Sequence, residues 1–449
     1  MKATGTWSGS VRLVPVLFLL VCSPQAFAGN DLATGLALDS WENVFVTGQS
    51  EGHSTTFDYL TLKYDAMGNR LWNQRYNGPG SGVDIPNAIV TDCTGNVYVT
   101  GSSKGNLSAL DYATIKYNSA GMQQWVSRFN GGGNGDDIAR SIAVDCTGNV
   151  YVTGSSANGA GGIDAVTIKY NSMGTQVWQR RSRGPNNEDI GRVVRVDLNG
   201  NVYVASSSSS SSARDYLTQK YDANGTLLWS MRYNGPANLD DIPTGLAVDC
   251  SGNVFVTGGS VGAGSGIDYA TIKYDPNGVQ KWVARFNGPA NSTDQANALA
   301  VDCMGNVLVT GSSVGFGSVR DYLTIKYNTN GAVQWTARYN GPANGDDNAT
   351  AVALDNSGNV FVTGSSLGFG SAHDYATIKY NSAGAQQWVS RFNGPVNGDD
   401  LAVAVGVNCI SGNVYVTGSS LGGFANFDYA TVKYDMHGNQ VWIRRFDGP

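Results

Sequence analysis

Carboxylates are the residues of this chain whose type and spacing come closest to a chemistry. Asp31, Asp84, Asp137, Asp189, Asp241, Asp294, Asp347 and Asp400 form one series. Asp39, Asp92, Asp145, Asp197, Asp249, Asp302 and Asp355 form a second, which Asn408 breaks, and Asp58, Asp111, Asp164, Asp215, Asp268, Asp321, Asp374 and Asp428 form a third. Hard oxygen donors gathered around one mouth of a channel could hold Ca2+ or cationic groups. The local alternative is that each aspartate caps its own turn by accepting from nearby backbone N–H groups. Repetition on this scale favours the turn role, so no cofactor is expected, and Ca2+ is the one ion the residues could suit.

The other reactive types are sparser. His53, His373 and His437 stand alone, without the spacing of metal ligands or of a triad, so no catalytic residue is assigned. Cys93, Cys146, Cys250, Cys303 and Cys409 all follow a second-series Asp or Asn408. If those turns approach within the ~4.4–6.8 Å Cα separation of a disulfide, Cys93 could pair with Cys146 and Cys250 with Cys303, leaving Cys409 over. The alternative is reduced cysteines in turns. Arg180, Arg181, Arg183, Arg192 and Arg195 gather beside the serine run Ser206–Ser212, where the pattern is most disturbed. They are the candidate binding residues, a basic patch for an acidic glycan or a partner's carboxylates, with sequence drift as the bland explanation.

What positions these residues is a repeat. The third aspartate series has spacings of 53, 53, 51, 53, 53, 53 and 54 residues, and the NVYVTG-like segment recurs at Asn43, Asn96, Asn149, Asn201, Asn253, Asn306, Asn359 and Asn413. The stretches 111–131 and 374–394 differ only at Met122 and Ala385. A unit of this length cannot bury its own apolar faces and must stack on its neighbours. Residues 137–181 show four short β-branched or aromatic runs: A (137–145), B (149–156), C (164–170) and D (175–181). Turn-forming residues separate them. Four antiparallel strands per unit make the blade of a β-propeller. We therefore expect an all-β, eight-bladed propeller with about 53 residues per blade, one domain over 29–449, and blades starting near 31, 84, 137, 189, 241, 294, 347 and 400. The period does not say which strand is innermost. Trp72, Trp125, Trp178, Trp229, Trp282, Trp335, Trp388 and Trp442 recur in strand D and are expected to fill the gaps between blades, each with ~150–250 Å² of surface.

Two cations, an apolar run from Val14 to Cys22 and the Ala26-Phe27-Ala28 pattern mark residues 1–28 as a secretory signal. Without them 27 basic and 35 acidic residues remain, a formal charge of −8, which argues against nucleic acid and anionic membranes as partners. A secreted, periplasmic or cell-surface monomer is expected, with no membrane insertion.

The motifs DYATIKY, GxxxW, RFNGP and AVDxxGNVYVTG, running from residue 31 to 449, resemble the bacterial SBBP β-propeller repeat, and the last also resembles NHL-type repeats, in which that first strand lies innermost. The SBBP resemblance implies an exported or surface-associated propeller and says little about activity. Three function classes follow. The first is a noncatalytic scaffold binding protein, polysaccharide or envelope material, whose like blades offer multivalency. The second is a quinoprotein-like enzyme, since Tyr221–Trp229 (YDANGTLLW) is a loose cousin of the Trp-docking motif, one residue short. The third is a structural or adhesive surface protein. Eight copies of the same groups do not make the asymmetric constellation that catalysis needs, so the scaffold is preferred and no enzyme is expected.

Overall fold

The computed structural model describes residues 30–448 apart from 53–54, 187, 211–212 and 424–425. The expected signal at 1–28, His53 and the end of the serine run lie outside the described residues. Within them, thirty-two strands form eight separate four-stranded antiparallel sheets, and there is no helix.

Each sheet follows chain order A-B-C-D. The A strands are Leu32–Leu38, Asp84–Thr91, Asp137–Val144, Asp189–Val196, Asp241–Val248, Asp294–Val301, Asp347–Leu354 and Asp400–Val407. Strand A of every blade packs on strand A of the next, and Asp400–Val407 returns to Leu32–Leu38. Strand A is therefore innermost and lines the channel, and every blade is one continuous stretch of chain. Strands B and C, flanked on both sides, are the most buried. In strand B the run Val-Tyr/Phe-Val, with Leu308 in place of the ring in blade 6, packs the two faces of the blade against its neighbours, and each seam has its own apolar cluster.

The seams are built from aromatic groups with polar ends. In every blade the strand D Trp donates through Nε1 to a carbonyl in the C–D turn of the next blade, as Trp125 does to Ser172 at 3.1 Å. The Lys before the C-terminal Tyr of strand C reaches the same carbonyl, as Lys169 and Trp178 both reach that of Ala223. The indole lies beneath a glycine of that turn. Gly121 has φ 83°, and a Cβ there would stand 2.8 Å from Trp72, so backbone conformation and close approach both require glycine. Burying one large apolar side chain in such a seam contributes about 1.5–3 kcal/mol.

Strand A carries a β-bulge in each blade. The extra residue is Thr34, Asn87, Arg140, Arg192, Thr244, Asn297, Thr350 or Val403. A bulge re-aims the side chain of the added residue. Thr34, Asn87, Thr244, Asn297 and Thr350 each donate from this position to the next blade's strand A.

The last seam uses the same bonds as the internal ones. Lys433 and Trp442 both donate to the carbonyl of Ala66, and the Tyr429 hydroxyl to that of Gln49. Its chain-end contacts also repeat ones made inside the ring, where Asp347 N–H donates to the Arg320 carbonyl and Gly131 N–H to Asp137. Asp31 N–H donates to Phe427 at 2.6 Å, and Gly448 N–H donates to the Asp31 carboxylate.

Candidate functional site

The aspartates divide by what they hold. Those opening strand A accept from the glycine N–H of the loop that enters the blade: Gly131 N–H donates to Asp137 at 2.5 Å, and Gly235 N–H to Asp241 at 2.5 Å. Those closing strand A make the A–B turn. Asp92 Oδ1 accepts from the Thr94 and Asn96 N–H groups, and its Oδ2 accepts from the Asn96 amide and the Tyr98 hydroxyl. Burial opposes the Asp92 charge, but these bonds outweigh it and hold its pKa below the ordinary value. The aspartates opening strand C are not turn caps. Each pairs across the blade with an Arg of strand D, and that Arg also bonds a strand B serine. Arg128 Nη2 lies 2.8 Å from Asp111 Oδ2, and Arg128 Nη1 donates to Ser103 Oγ at 2.6 Å. This Ser-Asp-Arg set recurs in all eight blades. Among the described residues no group of three or more His, Cys, Asp or Glu is gathered for a metal.

Where Asn408 breaks the second series, the carboxylate arrives from the neighbouring blade. Glu42 has φ 66° at the turn position that Gly95 and Gly148 occupy elsewhere. It accepts from the Ser411 hydroxyl and, at 2.7 Å, from the Asn413 amide. Burial raises its pKa, but the bonds from Ser411 and Asn413 outweigh this and lower it. The sequence showed the missing aspartate and not its replacement, which sits 371 residues from the Asn413 it serves.

The cysteine pairs expected from the sequence, Cys93 with Cys146 and Cys250 with Cys303, are not joined in the structure: all five thiols are free and exposed. The A–B turns that carry them open to solvent at the channel mouth. Cys303 nevertheless meets Cys250 of the preceding blade thiol to thiol, and that contact raises the Cys303 pKa. His373 lies 3.0 Å from Asp399, and the exposed His437 sits in a C–D turn.

The five candidate arginines do not form one patch. Arg180 is on the outer strand, over the Trp178 ring and bonded to the Gly225 carbonyl. Arg181 and Arg183 both engage Asp164, at 2.8 and 3.2 Å; burial opposes the Asp164 charge, and the two guanidiniums overcome it. Only Arg192 and Arg195 belong to strand A, where Arg140 of the preceding blade joins them. Arg140 was missed because DIARSIAV reads as an ordinary strand A until the bulge shows that Arg140 and Arg192 hold equivalent places.

The seam between blades 3 and 4 is also where the packing rules change. In seven blades strand C begins Asp-Tyr, and the hydroxyl crosses to the next blade, as Tyr112 does to the Val166 carbonyl at 3.3 Å. There it lies against a strand B glycine, 2.8 Å from where a Cβ on Gly154 would stand. At this seam Ala165 replaces the Tyr, Ser206 replaces the Gly, and Gly191 replaces the Ala or Pro opposite it. Ser206 is 1 % exposed, and its hydroxyl has no partner among the described residues. A cleft of about 310 Å³ opens at the same seam, on the face of the A–B turns, between Asp145–Tyr151 and Val196–Gly200 with Lys169 and Ala223. Its polar groups are already engaged: Asp145 and Asp197 hold their own turns, and Lys169 holds Ala223.

With this geometry in view, residues 72–108, 124–159 and 334–370 match the SBBP family, described as a beta-propeller repeat. They are SBBP repeats. Each matched SBBP repeat starts at or just before the Trp of one blade's strand D and ends in the loop after strand B of the next, so the repeat straddles a seam. The chain is also similar to an uncharacterized WD repeat-containing protein of Acanthamoeba polyphaga mimivirus, at 23 % identity over 379 residues covering 68 % of this chain. It spans about a quarter of that relative's length, with 26 % covered. Among solved structures it resembles a eukaryotic initiation factor, with 9 % identity, 94 % of this chain and 97 % of that one covered, and TM-score 0.47. It also resembles a family 25 polysaccharide lyase, an ulvan lyase bound to -[GlcA(1-4)Rha3S]-, with 12 % identity, 79 % and 94 % covered, and TM-score 0.44.

Proposed function

We propose that this propeller of SBBP repeats is a noncatalytic interaction scaffold, exported from a bacterial cell and binding protein or polysaccharide. The observation that carries the reading is that the repeated polar groups are consumed inside the fold. The Ser-Asp-Arg sets, the aspartate turns and the Trp and Lys donors all bond within a blade or to the next one. A catalytic centre needs groups left over and placed asymmetrically. The WD repeat-containing relative supports protein interaction as the broad role.

What varies from blade to blade lies at the loops and the channel. Trp41, Leu198, Met304 and Ile410 are exposed on the A–B turns, and Phe316 and Phe369 on the loops at the opposite face. Exposed apolar groups on one rigid ring are what a binding face uses.

The test is a thermal-shift panel on residues 29–449 with bacterial and plant polysaccharides, Ca2+, and pyrroloquinoline quinone with Ca2+, followed by pull-down from native envelope. A ligand at 100 times its Kd adds about 2.7 kcal/mol to the folded state. A polysaccharide shift or a specific captured protein supports the scaffold; a quinone-dependent shift overturns it. Export is checked separately, by the N-terminal residue of the mature protein, expected to be Gly29.

A further inference from the structure

We propose that the central channel holds an oxyanion site, with Arg140 and Arg192 as its cationic wall and Arg195 beside them. Beyond the leading aspartate, these three arginines are the only charged side chains on any inner strand among the described residues. The leading aspartates are turned away to the entry loops. Arg140 and Arg192 occupy the bulge position of adjacent blades, which other blades fill with Thr, Asn or Val. Strand A is innermost and covered on both flanks by neighbouring blades, so what these half-buried side chains expose, and what the exposed Arg195 exposes, faces the channel.

The arginines are not neutralised. No carboxylate pairs with any of the three among the described residues. Arg192 Nε donates weakly to Ser207 Oγ at 3.4 Å, Arg195 bonds its neighbour's carbonyl at 2.9 Å, and Arg140 Nε is buried with no partner among the described residues. Burial, then the like charges of Arg140 and Arg214, push the Arg192 pKa down to about 10, and burial lowers that of Arg140. All three remain cations at neutral pH.

A cation held beside like charges, as Arg192 is beside Arg140 and Arg214, is relieved by an anion between them. A guanidinium presents paired N–H donors that match the two oxygens of a carboxylate, sulfate or phosphate. The ligand class is therefore an oxyanion, either inorganic or the acid group of a uronic sugar. The site stands whether or not the scaffold reading does, because it rests on channel residues rather than on the faces.

Isothermal titration of the purified propeller with sodium sulfate, sodium phosphate and sodium glucuronate, at matched ionic strength in chloride, tests it. The expected result is saturable binding of one equivalent of at least one anion, weakened about tenfold or more in R140N/R192T. The anion bound most tightly tells an inorganic ligand from a uronate. That variant carries residues that sister blades hold at the same bulge, Asn87 and Thr244, and should melt no lower than wild type in chloride. R195A, a simple truncation, should weaken the same anion in the same direction. K281Q, which removes an exposed outer-strand cation, should change binding by less than about twofold. Absence of saturable binding by all three anions, or binding of unchanged strength in both R140N/R192T and R195A, overturns the site.

Discussion

Buried aspartates give this protein an unusual acid response, residue by residue. Asp31 is 1 % exposed, and burial raises its carboxyl to about 6 against the bonds from Ser50 and Gly448 that lower it. Its seven counterparts are raised by burial in the same direction. A folded pKa above the unfolded one means that the folded state binds more protons between the two values, so stability falls as pH rises through that window. For Asp31 the window runs from 3.8 to about 6, and the loss is on the order of 2–3 kcal/mol. The turn aspartates Asp92, Asp145 and Asp197 are lowered, so their contribution is present above the ordinary carboxylate value and disappears in stronger acid. Melting temperature followed from pH 3 to 7.5 should therefore peak on the mildly acidic side, near ~4–5. The difference between wild type and D31N should change across the Asp31 window and be flat above it. A difference that stays constant across the window would remove Asp31 from this account.

At the scale of the element, the seam between blades 3 and 4 is one coordinated change. A tyrosine at 165 would bring its hydroxyl onto Ser206, where other blades keep glycine. A165Y alone should destabilise by about 1–3 kcal/mol, as overpacking does, and S206G added to it should recover most of the loss. A double-mutant cycle measured by chemical unfolding reads the coupling directly; additive effects would mean that the two residues do not meet. The blade itself was legible in the sequence. The Gly-Asn turns, the β-branched runs and the strand D Trp are local signals that placed all four strands. The bulge was not, because ATGL, PNAI, ARSI and GRVV carry no shared mark at the inserted residue; the register of strand B decides it.

For the whole molecule the decisive event is closure of the ring. Seven seams are joined by a covalent connection and the eighth is not, so non-covalent contacts alone hold blades 1 and 8 together: the Tyr429, Lys433 and Trp442 bonds that every seam repeats, and, peculiar to this one, Glu42 with Ser411 and Asn413. Ser411 is exposed and Asn413 half-buried, so losing this charged acceptor costs about 0.5–1 kcal/mol. E42A should therefore lower the melting temperature and speed hydrogen exchange first in Leu32–Leu38 and Asp400–Val407, ahead of the inner strands on the far side. Uniform exchange around the ring would show that Glu42 has no special part in closure.

The sequence by itself determined the architecture: eight units, four strands each, turns at the aspartates and a Trp at every seam. All of these are local patterns repeated at a fixed period, and repetition makes weak local signals add. Tertiary structure alone decided what depends on groups far apart in the chain. It placed strand A at the axis and gave the strand C aspartates an arginine partner in the same blade. It supplied Asn413 with a carboxylate from Glu42, split five neighbouring arginines between outer strand, ion pairs and channel, and brought in Arg140 from another blade. The period says how often a residue recurs, but which groups meet is set by the closing of the ring and the register of its inner strands, and neither is written in any one repeat.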